Sequence, residues 1–379
     1  MKVILHKSIS EIDESKWNSI VAKNHLICTY KYLESVEKSE INDCRYYYPV
    51  VYEGNEIIAH TSVYFITTEL DTFAQGFIKK IIIDIRKKWK NFLILRSLEC
   101  GTPVALGTTI SFKNGINRVN ALNLICQNIE HLAKELHIPV LLFRDFYNEE
   151  LELFDHLTEL GYTGIHNLPG TKIEVRWKSF NEYLNSIRSH YKWKIIERIK
   201  KCQRDNISIE ILNDYSRYYD DLEKLWMNVY NNAKEYRREI LKSVFFKQTK
   251  EYLGDKSSII LIKKDNIPIG FTLLWFDDET LIPIFSGLDY NYNDEYGIYF
   301  NLLYKIVEVA IDKGKKDIDL GITTLIPKKE MGAETVTLNM YMKHLNPLLN
   351  KIVPWLFETM TPQDNAGERK VFKSKLNVL

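Results

Sequence analysis

The stretch DLGITTLIPKKEMGAE, from Asp319 to Glu334, holds the residues of this chain that are best suited to chemistry. A short apolar strand ends at Asp319, where a carboxylate can face a cleft and take a proton from an amine, or can simply cap the following loop. Lys328 can hold a carboxylate or phosphate as a mobile point charge, or can be a solvated lysine beside Lys329. The stretch has too few carboxylates for a metal and too few glycines to cradle a nucleotide.

Several familiar catalytic motifs are absent from the sequence. It contains no GxxxxGK[ST], GxGxxG or GxSxG, so phosphate-loop, dinucleotide-binding and hydrolase-elbow sites lack support. The nine histidines are scattered without HxH, HxxxH or HExxH spacing, and no metal site is predicted. With a net charge of +1, the chain has no general attraction to nucleic acid or membrane, so any such contact must come from a local patch.

Length and cysteine use bear on the number of domains and the compartment. At 379 residues, with 45% hydrophobic and 27% charged residues, the chain exceeds what one hydrophobic core usually serves, and two domains are expected. The first residues reach charge too early for a signal peptide, and no apolar run approaches about 20 residues. Five cysteines stand apart without a CxxC pair, as is typical of reduced thiols, so we expect a cytoplasmic protein.

The elements that must position Asp319 and Lys328 occur twice along the chain. Two segments are typical of antiparallel strands joined by tight turns: RYYYPVVYEGNEIIAHTSVYFITT in the first half and SSIILIKKDNIPIGFTLLWFDDETLIPIFSGLDY in the second. Each leads to a helix, ALNLICQNIEHLAKELH or YFNLLYKIVEVAIDKG, and then to a short apolar strand, IPVLLFRDF or KKDIDLG. A short helical segment and a final strand follow, TKIEVRW in the first half and VTLNMYMKH in the second. The alternative is that any α/β chain aligns this loosely with itself.

A basic segment between the two halves, SFNEYLNSIRSHYKWKIIERIKKCQRD, is predicted to form a long helix over residues 180–205. Apolar residues at helical spacing form one face that packs inward; they are Leu184, Ile187, Tyr191, Ile195, Ile199 and Cys202. The cationic residues of the other faces are Arg188, Lys192, Lys194, Arg198, Lys200, Lys201 and Arg204. This basic face is either solvated or binds an anion, and in the second case Arg188 and Lys192 are candidate substrate-binding residues.

The segment FIKKIIIDIRKKWKNFLILR, residues 77–96, interrupts the first copy and has no counterpart in the second. Wound as a helix, it places most isoleucines with Trp89 on one side and most lysines on the other. A basic amphipathic helix of this kind suits peripheral contact with a membrane surface. Ile83 breaks the pattern, and the isoleucines also suit two buried strands, so ordinary core packing is the competing interpretation.

In their order along the chain, these motifs resemble the FemAB-like branch of the GNAT acyltransferase superfamily. The second half carries FSGLDYNY with a Gly-Leu-Asp strand end, then YGIYFNLLY, the Asp-Leu-Gly strand end, and Lys328 four residues before Gly332-Ala. The first half is similar through LLFRDF, LGYTGIHNLPGT and Trp177, and the basic helix lies between the halves. The chain departs from the family at Leu325, where an aromatic residue is common.

The resemblance implies an α/β (α+β) fold of two tandem GNAT-like units, 1–175 and 176–379, each a mixed central sheet flanked by helices. It implies an N-acyltransferase that forms an amide on a small amine or amino acid. The co-substrate is then a thioester of acyl-carrier protein or coenzyme A, with no tightly bound cofactor and no metal, and the group transferred is not aminoacyl. The alternatives are Fem-type aminoacyl transfer from charged tRNA, and a non-catalytic binding protein that kept the fold.

In a GNAT fold two neighbouring parallel strands separate, and the gap between them receives the acyl carbonyl; the resemblance assigns LIPIFSGLDY and KKDIDLG to this pair. A backbone N–H near Ser286 or Gly287 then stabilises the oxyanion, unless Gly287 serves only a bulge or turn. Asp319 is the expected base, and Asp289 is a second candidate in a turn where Asp is common. Tyr299 can donate to a leaving thiol or ribose oxygen, although core packing is its default role.

The loop that binds pyrophosphate in coenzyme A-dependent GNAT enzymes is glycine-rich and basic, and it lies at a helix N-terminus. Its second-half counterpart here, YNYNDEYGIY, is acidic with one glycine, whereas the first-half counterpart SFKNGINRVN has Lys113, Gly115 and Arg118. Free coenzyme A is therefore weakly indicated. A carrier-protein thioester or a charged tRNA would instead use the basic helix.

Overall fold

The computed structural model describes residues 1–69, 76–89, 94–233, 238–360 and 367–373, without the side chains of 76–79, 358 and 360. The described strands are β1 (Lys2–His6), β2 (Arg45–Glu53), β3 (Glu56–His60), β4 (Val63–Glu69), β5 (Ile94–Cys100), β6 (Ser111–Phe112), β7 (Val140–Phe146), β8 (Thr163–His166), β9 (Gly170–Glu174), β10 (Ile207–Leu212), β11 (Ser257–Lys264), β12 (Ile267–Phe276), β13 (Thr280–Leu288), β14 (Asp317–Gly321), β15 (Glu334–Val336) and β16 (Asn339–His344). The described α-helices are α1 (Glu14–Asn18), α2 (Tyr30–Glu37), α3 (Gly76–Arg86), α4 (Arg118–Glu135), α5 (Leu151–Phe154), α6 (Phe180–Ser186), α7 (Ser189–Cys202), α8 (Tyr219–Asn232), α9 (Ser243–Leu253), α10 (Tyr290–Tyr296), α11 (Ile298–Asp312), α12 (Leu325–Glu330) and α13 (Val353–Met360).

The chain forms two compact units. Unit 1 consists of Met1–Asn167, Ala233–Gln248 and Thr337–Pro362. Unit 2 consists of Leu168–Asn232, Thr249–Val336 and Gln363–Leu379. Each unit contains a mixed sheet with helices packed on it, which confirms the predicted fold class.

The sheet of unit 1 has its described strands in the order β6-β3-β2-β4-β5-β7-β16-β8, with β1 paired to β2. Strands β5 and β7 are parallel, and their pairing runs from Ser97 opposite Val140 to Cys100 opposite Phe143. Helix α4 lies in the crossover between these two strands, and its apolar face packs into the core of the unit.

The sheet of unit 2 has its described strands in the order β10-β11-β12-β13-β14-β9-β15. Strands β13 and β14 are parallel, and the crossover between them contains α10 and α11. Helix α11 is apolar on most sides and is buried along most of its length against β11, β12 and β13. The repeat seen in the sequence therefore corresponds to two sheets, and the described strands of each include one parallel pair joined by a helical crossover.

The final strand of each sequence half lies in the sheet formed mainly by the other half. Strand β9 pairs with β14 in unit 2, and β16 pairs with β7 in unit 1. The compact units therefore differ from the predicted halves 1–175 and 176–379, because unit 2 begins at Leu168 and unit 1 includes Thr337–Pro362. Apolar alternation specifies a strand and its buried face, but the backbone hydrogen bonds that select its neighbour are independent of residue type.

The predicted helix over residues 180–205 is wrong in its continuity, because two helices, α6 and α7, replace it. Between them Ile187 and Arg188 are extended, with ψ of 142° and 145°. Ile187 forms an isolated antiparallel bridge with Phe372, and the Arg188 N–H donates to the Val371 carbonyl at 2.9 Å. The predicted apolar face is confirmed, since all six of its residues are buried in the core of unit 2 or packed against it.

The segment predicted at 77–96 forms helix α3, and strand β5 begins at its far end. Ile82 is buried in unit 1, whereas Ile81, Ile83 and Trp89 are exposed. The expectations for the side chains of Phe77, Ile78, Lys79, Lys90, Phe92 and Leu93 lie outside the described residues. Among the described helices, none combines the length and the apolar character that crossing a bilayer requires.

Helix α8 packs directly on strand β13 at Gly287. A Cβ atom added to Gly287 would lie 2.7 Å from the backbone C and 2.8 Å from the Cβ of Leu225, and it would also overlap the Phe271 ring. Leu225 is a buried residue of α8, so the missing side chain is what allows the helix to approach the strand. Packing alone therefore accounts for glycine at this position.

We expect Gly287→Ala to destabilise the protein by about 1–3 kcal/mol, because backbone atoms of Leu225 cannot move aside as a flexible side chain can. The measurement is the thermal unfolding midpoint of the full chain, which should fall by several degrees. Gly164→Ala is the matched control in another strand, where the added Cβ meets only the Tyr341 ring at an ordinary 3.4 Å. Equal midpoints for both variants would contradict this account.

Candidate functional site

The predicted separation of strands β13 and β14 is present in unit 2. Their parallel pairing is limited to Thr280 opposite Asp317 and Leu281 opposite Ile318. Strand β13 continues to Leu288 and β14 continues to Gly321 without further pairing between them. Within the described residues, a gap therefore opens between the carboxyl ends of two adjacent parallel strands, where polar backbone groups are available to a ligand.

A β-bulge on β13 lies at the start of this gap. Leu273 pairs with Phe285 and Leu274 pairs with Pro283, so Ile284 is an extra residue without a partner on β12. Bulges bend a strand and re-aim its side chains, and they are common beside active sites. The bulge was not predicted, although Pro283 in a strand interior is a signal for one.

The predicted residues on β13 line one side of the gap. The Ser286 hydroxyl is 2.8 Å from the Thr272 hydroxyl, and Gly287 is buried under α8. The neighbouring Phe285 makes an edge contact with Trp226 of α8, with ring centroids 4.8 Å apart. The Trp226 indole N–H is buried and has no hydrogen-bond partner among the described residues. Trp226 was not predicted, and no motif in the sequence marks it.

Asp319 lies on the opposite strand and caps its end. One carboxylate oxygen, Oδ1, accepts the Gly321 N–H at 3.0 Å, which is the loop-capping role considered from the sequence. The other oxygen, Oδ2, is 4.0 Å from the Lys172 ammonium of β9. The side chain is only 14% exposed, so its orientation is fixed by these contacts.

Lys328 is not the mobile, solvated lysine that the sequence suggested. Its side chain is buried, and the ammonium donates to the carbonyls of Leu320 at 2.7 Å and Ile322 at 2.8 Å. Burial lowers the pKa of Lys328 to about 7, and the nearby Asp319 carboxylate, which favours the charged form, only partly offsets this effect. The ammonium therefore holds the loop after β14 from inside, and the prediction that it grips a ligand as a mobile charge is wrong.

Tyr299 joins helix α11 to the same loop. Burial raises the pKa of Tyr299 to about 12, although a side-chain hydrogen bond with Thr324 acts to lower it. Thr324 and Thr323 both have positive φ, 49° and 63°, so the loop turns sharply between β14 and α12. Asp319, Lys328 and Tyr299 are thus brought together around one loop, across the gap from Ser286.

The remaining predicted residues lie elsewhere. Asp289 is the N-cap of α10, where its side chain accepts the Asn291 N–H at 3.0 Å, so its turn role is observed. The Arg188 Nε donates to the Phe372 carbonyl at 3.1 Å, and the Lys192 ammonium donates to Asn185 at 2.7 Å. The contacts of Arg188 and Lys192 fix the start of α7 and do not involve the gap.

The start of helix α11 is closed by the chain's own side chains. The Tyr299 N–H donates to Asn293 at 3.0 Å, and the buried Asn301 amide donates to the Gly297 carbonyl at 2.9 Å and the Arg198 carbonyl at 3.1 Å. Helix N-terminal N–H groups bind phosphate when they are unoccupied. Here one of these groups, the Tyr299 N–H, is already taken by Asn293.

The basic face of α7 is partly used inside unit 2. The Glu330 carboxylate forms ion pairs with the ammonium of Lys194 at 3.1 Å and with the guanidinium groups of Arg369 at 3.2 Å and Arg198 at 3.7 Å. Arg198 also stacks on the Phe300 ring at 3.5 Å. Three cations on one half-buried carboxylate form a structural cluster. The cationic residues of α7 and its C-terminal turn that stay exposed are Lys200, Lys201 and Arg204.

The corresponding end of the parallel pair in unit 1 is filled by ion pairs. Glu99 at the end of β5 accepts from Arg144 at 2.9 Å, from Arg238 at 2.6 Å and from the Tyr64 hydroxyl at 2.5 Å. The Arg144 Nε also contacts Asp145 at 2.6 Å. The LLFRDF motif of the first half thus builds a buried polar network, and the open strand ends are those of unit 2.

The model of the FemAB-like family, described as peptidoglycan biosynthesis/recognition, matches residues 95–355. This chain belongs to the FemAB-like family. Two Mycobacterium tuberculosis proteins, from strains CDC 1551 / Oshkosh and ATCC 25618 / H37Rv, are named "Putative 8-amino-7-oxononanoate synthase 2" and are 24% identical over 321 residues. The match covers 83% of this chain and 42% of those proteins, so the chain spans about two-fifths of their length.

Solved structures share the fold of this FemAB-like chain. FemX is 12% identical with a TM-score of 0.57, covering 93% of this chain and 100% of FemX. A tandem GNAT protein from the clavulanic acid pathway is 8% identical with a TM-score of 0.53, covering 91% and 99%. L-PGS from Bacillus licheniformis is 9% identical with a TM-score of 0.50, covering 87% and 92%. The resemblance inferred from the motifs is confirmed.

Lys328 makes stability depend on pH in a defined direction. Its pKa is lowered from 10.5 to about 7 in the folded state, so the unfolded state binds more protons between these values. The free energy of unfolding should therefore rise with pH in this window, by at most about 1.4 kcal/mol per pH unit. Lys328→Met should remove this rise.

The measurement is chemical unfolding of the full chain at several pH values from neutral to about 10. Lys329→Met is the control for loss of a lysine from the same short helix, and it should keep the wild-type slope. An unchanged slope in Lys328→Met would show that Lys328 stays charged in the folded protein.

Proposed function

We propose that this FemAB-like chain is an N-acyltransferase that forms an amide on a small amine or amino acid, using a carrier-bound thioester as donor. The observation that carries the proposal is the separation of β13 from β14 after two residue pairs, beside the half-buried Asp319. An acyl carbonyl in the gap would meet backbone N–H groups on β13 and a carboxylate on β14. Those are the two groups that acyl transfer to an amine needs.

The reaction assigns a role to each side of the gap. The amine nitrogen attacks the thioester carbonyl, and an N–H near Ser286 stabilises the oxyanion that forms. Asp319 removes the proton that the nitrogen must lose, through the oxygen that does not cap Gly321. The C–S bond then breaks, the leaving thiolate takes up the proton held by Asp319, and the amide remains. Lys328 acts indirectly, because its contacts with Leu320 and Ile322 fix the strand end that carries Asp319.

The start of α11 favours a carrier over free coenzyme A as donor. Asn293 already accepts the Tyr299 N–H, one of the backbone donors that a pyrophosphate would need. A carrier protein or a nucleic acid instead binds through a broad surface. The exposed cations Lys200, Lys201 and Arg204 at the end of α7 supply such a surface for an anionic carrier.

Aminoacyl transfer from charged tRNA is the second candidate. The family description, peptidoglycan biosynthesis/recognition, supports it, as does the same basic surface on α7. The two candidates share the amine acceptor, the gap and Asp319, and they differ only in the donor. A binding protein without activity is the outcome if neither donor supports transfer.

Asp319→Asn should lower kcat by about 10²–10⁴, because the amide keeps the Gly321 contact but cannot accept a proton. The assay follows amide formation with each class of donor at saturation. Asp289→Asn makes the same chemical change at the N-cap of α10, where Asn caps as well as Asp, and should leave kcat nearly unchanged. Full activity of Asp319→Asn would remove this residue from the mechanism.

Reversal of Lys200, Lys201 and Arg204 to Glu should raise KM for a carrier-bound donor and leave kcat in place, because these charges guide docking. The same change at Lys194 and Arg198 should instead lower the unfolding midpoint, since those residues hold Glu330. Activity that ribonuclease abolishes would assign tRNA as donor, and resistance would assign the thioester. A KM that is insensitive to both charge and salt would show a merely solvated face.

A further inference from the structure

A stripe of large apolar side chains in unit 1 faces solvent after strand β16. Leu348 is 77% exposed, Trp355 is 62% exposed, and Ile352 between them is also exposed. The spacing of four and then three residues places these side chains on one side of the 3-10 turn and helix α13. The other side is anchored, because Val353 and Phe357 pack on a small apolar cluster of the sheet.

Helix α3 carries a second exposed apolar set, bordered by lysines. Trp89, three residues after α3, is 70% exposed, and its N–H keeps a helical hydrogen bond to the Ile85 carbonyl at 2.9 Å. Ile81 is exposed and lies about 80° from Trp89 around the helix, whereas the exposed Ile83 projects to the other side. The exposed lysines of this segment are Lys80, Lys87 and Lys88. Asp84 is the one acidic residue in the described part of the segment, and it is paired with Lys87 at 2.7 Å. The helix therefore presents apolar side chains within a basic surround.

Both sets lie at the same end of the unit 1 sheet. Arg86 of α3 is ion-paired at 3.0 Å with Glu69 at the end of β4. Glu69 is paired with Ile94 at the start of β5, and the next residue, Leu95, packs on the same apolar cluster as helix α13. The two elements are therefore anchored to adjacent positions of one sheet end.

We propose that this end of unit 1 is a docking surface for a bilayer of anionic phospholipid. The surface, called the end surface here, consists of Ile81, Trp89, Leu348, Ile352 and Trp355, with Lys80, Lys87 and Lys88. The proposal is independent of the transfer reaction, because it concerns unit 1 and not the gap in unit 2. The proposal places the protein at the surface of a membrane.

The chemistry of the end surface selects this occupant. Lysine ammonium groups are attracted to anionic headgroups, while tryptophan and isoleucine side chains enter the boundary between headgroups and acyl chains. A second copy of the chain would meet the same patch through a two-fold axis. That arrangement would bury the lysines of both copies in one interface with a single acidic side chain, Asp84, from each α3 segment, which is unfavourable. A bilayer satisfies both the apolar and the charged part of the patch.

The experiment measures binding of the full chain to vesicles of phosphatidylcholine with about one-third phosphatidylglycerol, by flotation. We expect wild type to bind these vesicles, and to bind pure phosphatidylcholine on the order of tenfold less. Binding should weaken as salt rises from about 0.05 to about 0.5 M. Leu348→Ser, Ile352→Ser and Trp355→Ser combined should reduce binding on the order of tenfold, and so should Lys80→Gln, Lys87→Gln and Lys88→Gln combined.

The matched control replaces three exposed apolar residues of unit 2, with Trp193→Ser, Ile267→Ser and Ile326→Ser combined. It should bind vesicles as wild type does. Because the substituted side chains are exposed, circular dichroism and the unfolding midpoint should not change in any variant. The lysine variant keeps the test valid if the apolar variant unfolds.

Three outcomes would overturn the proposal. The first is a wild-type chain that does not float with anionic vesicles. The second is a control variant that loses as much binding as the end-surface variants. The third is a dimer in sedimentation velocity that the apolar end-surface variant converts to monomer, which would assign the patch to a second copy.

Discussion

The early end of the pairing between β13 and β14 is the constraint on which the candidate site depends. A strand that leaves its neighbour exposes carbonyl and N–H groups, and buried groups of this kind need other partners. The chain supplies them locally. Asp319 accepts the Gly321 N–H, and the Lys328 ammonium takes the carbonyls of Leu320 and Ile322. The residues that looked catalytic in the sequence are therefore also the ones that satisfy the backbone groups at this strand end.

This double use explains why the sequence pointed to these residues without their structural roles. The order of strand ends, helix and lysine predicted Asp319, Lys328 and Tyr299 as candidates, and the structure places all three around one loop. The sequence could not show that Lys328 points inward, because a lysine beside another lysine has the composition of a solvated surface. The Lys328 side chain turns inward because of the positive-φ turn at Thr323 and Thr324. Threonine rarely adopts positive φ, so these residues do not predict such a turn.

In the fold, too, the features set by local sequence were predicted, and those set by contacts between distant residues were not. Apolar periodicity predicted strands, helices and the buried face of the basic segment, since these follow from the side chains themselves. The break at Ile187 and Arg188 was not predictable from that segment. It arises from the bridge to Phe372, a residue far away in the sequence. The sheet membership of β9 and β16 was missed for the same reason, because backbone pairing over long separations leaves no local signature.

The exchanged strands also have a consequence for synthesis. The sheet of unit 1 includes β16, so it is complete only after residue His344 has left the ribosome. The first half of the chain must wait, with strand β7 unpaired on the side where β16 will lie. During this interval β7 is an exposed edge of the kind that pairs with other chains. Slow translation late in the message would lengthen that exposure, and the sheet of unit 2 also waits for a late strand, β15.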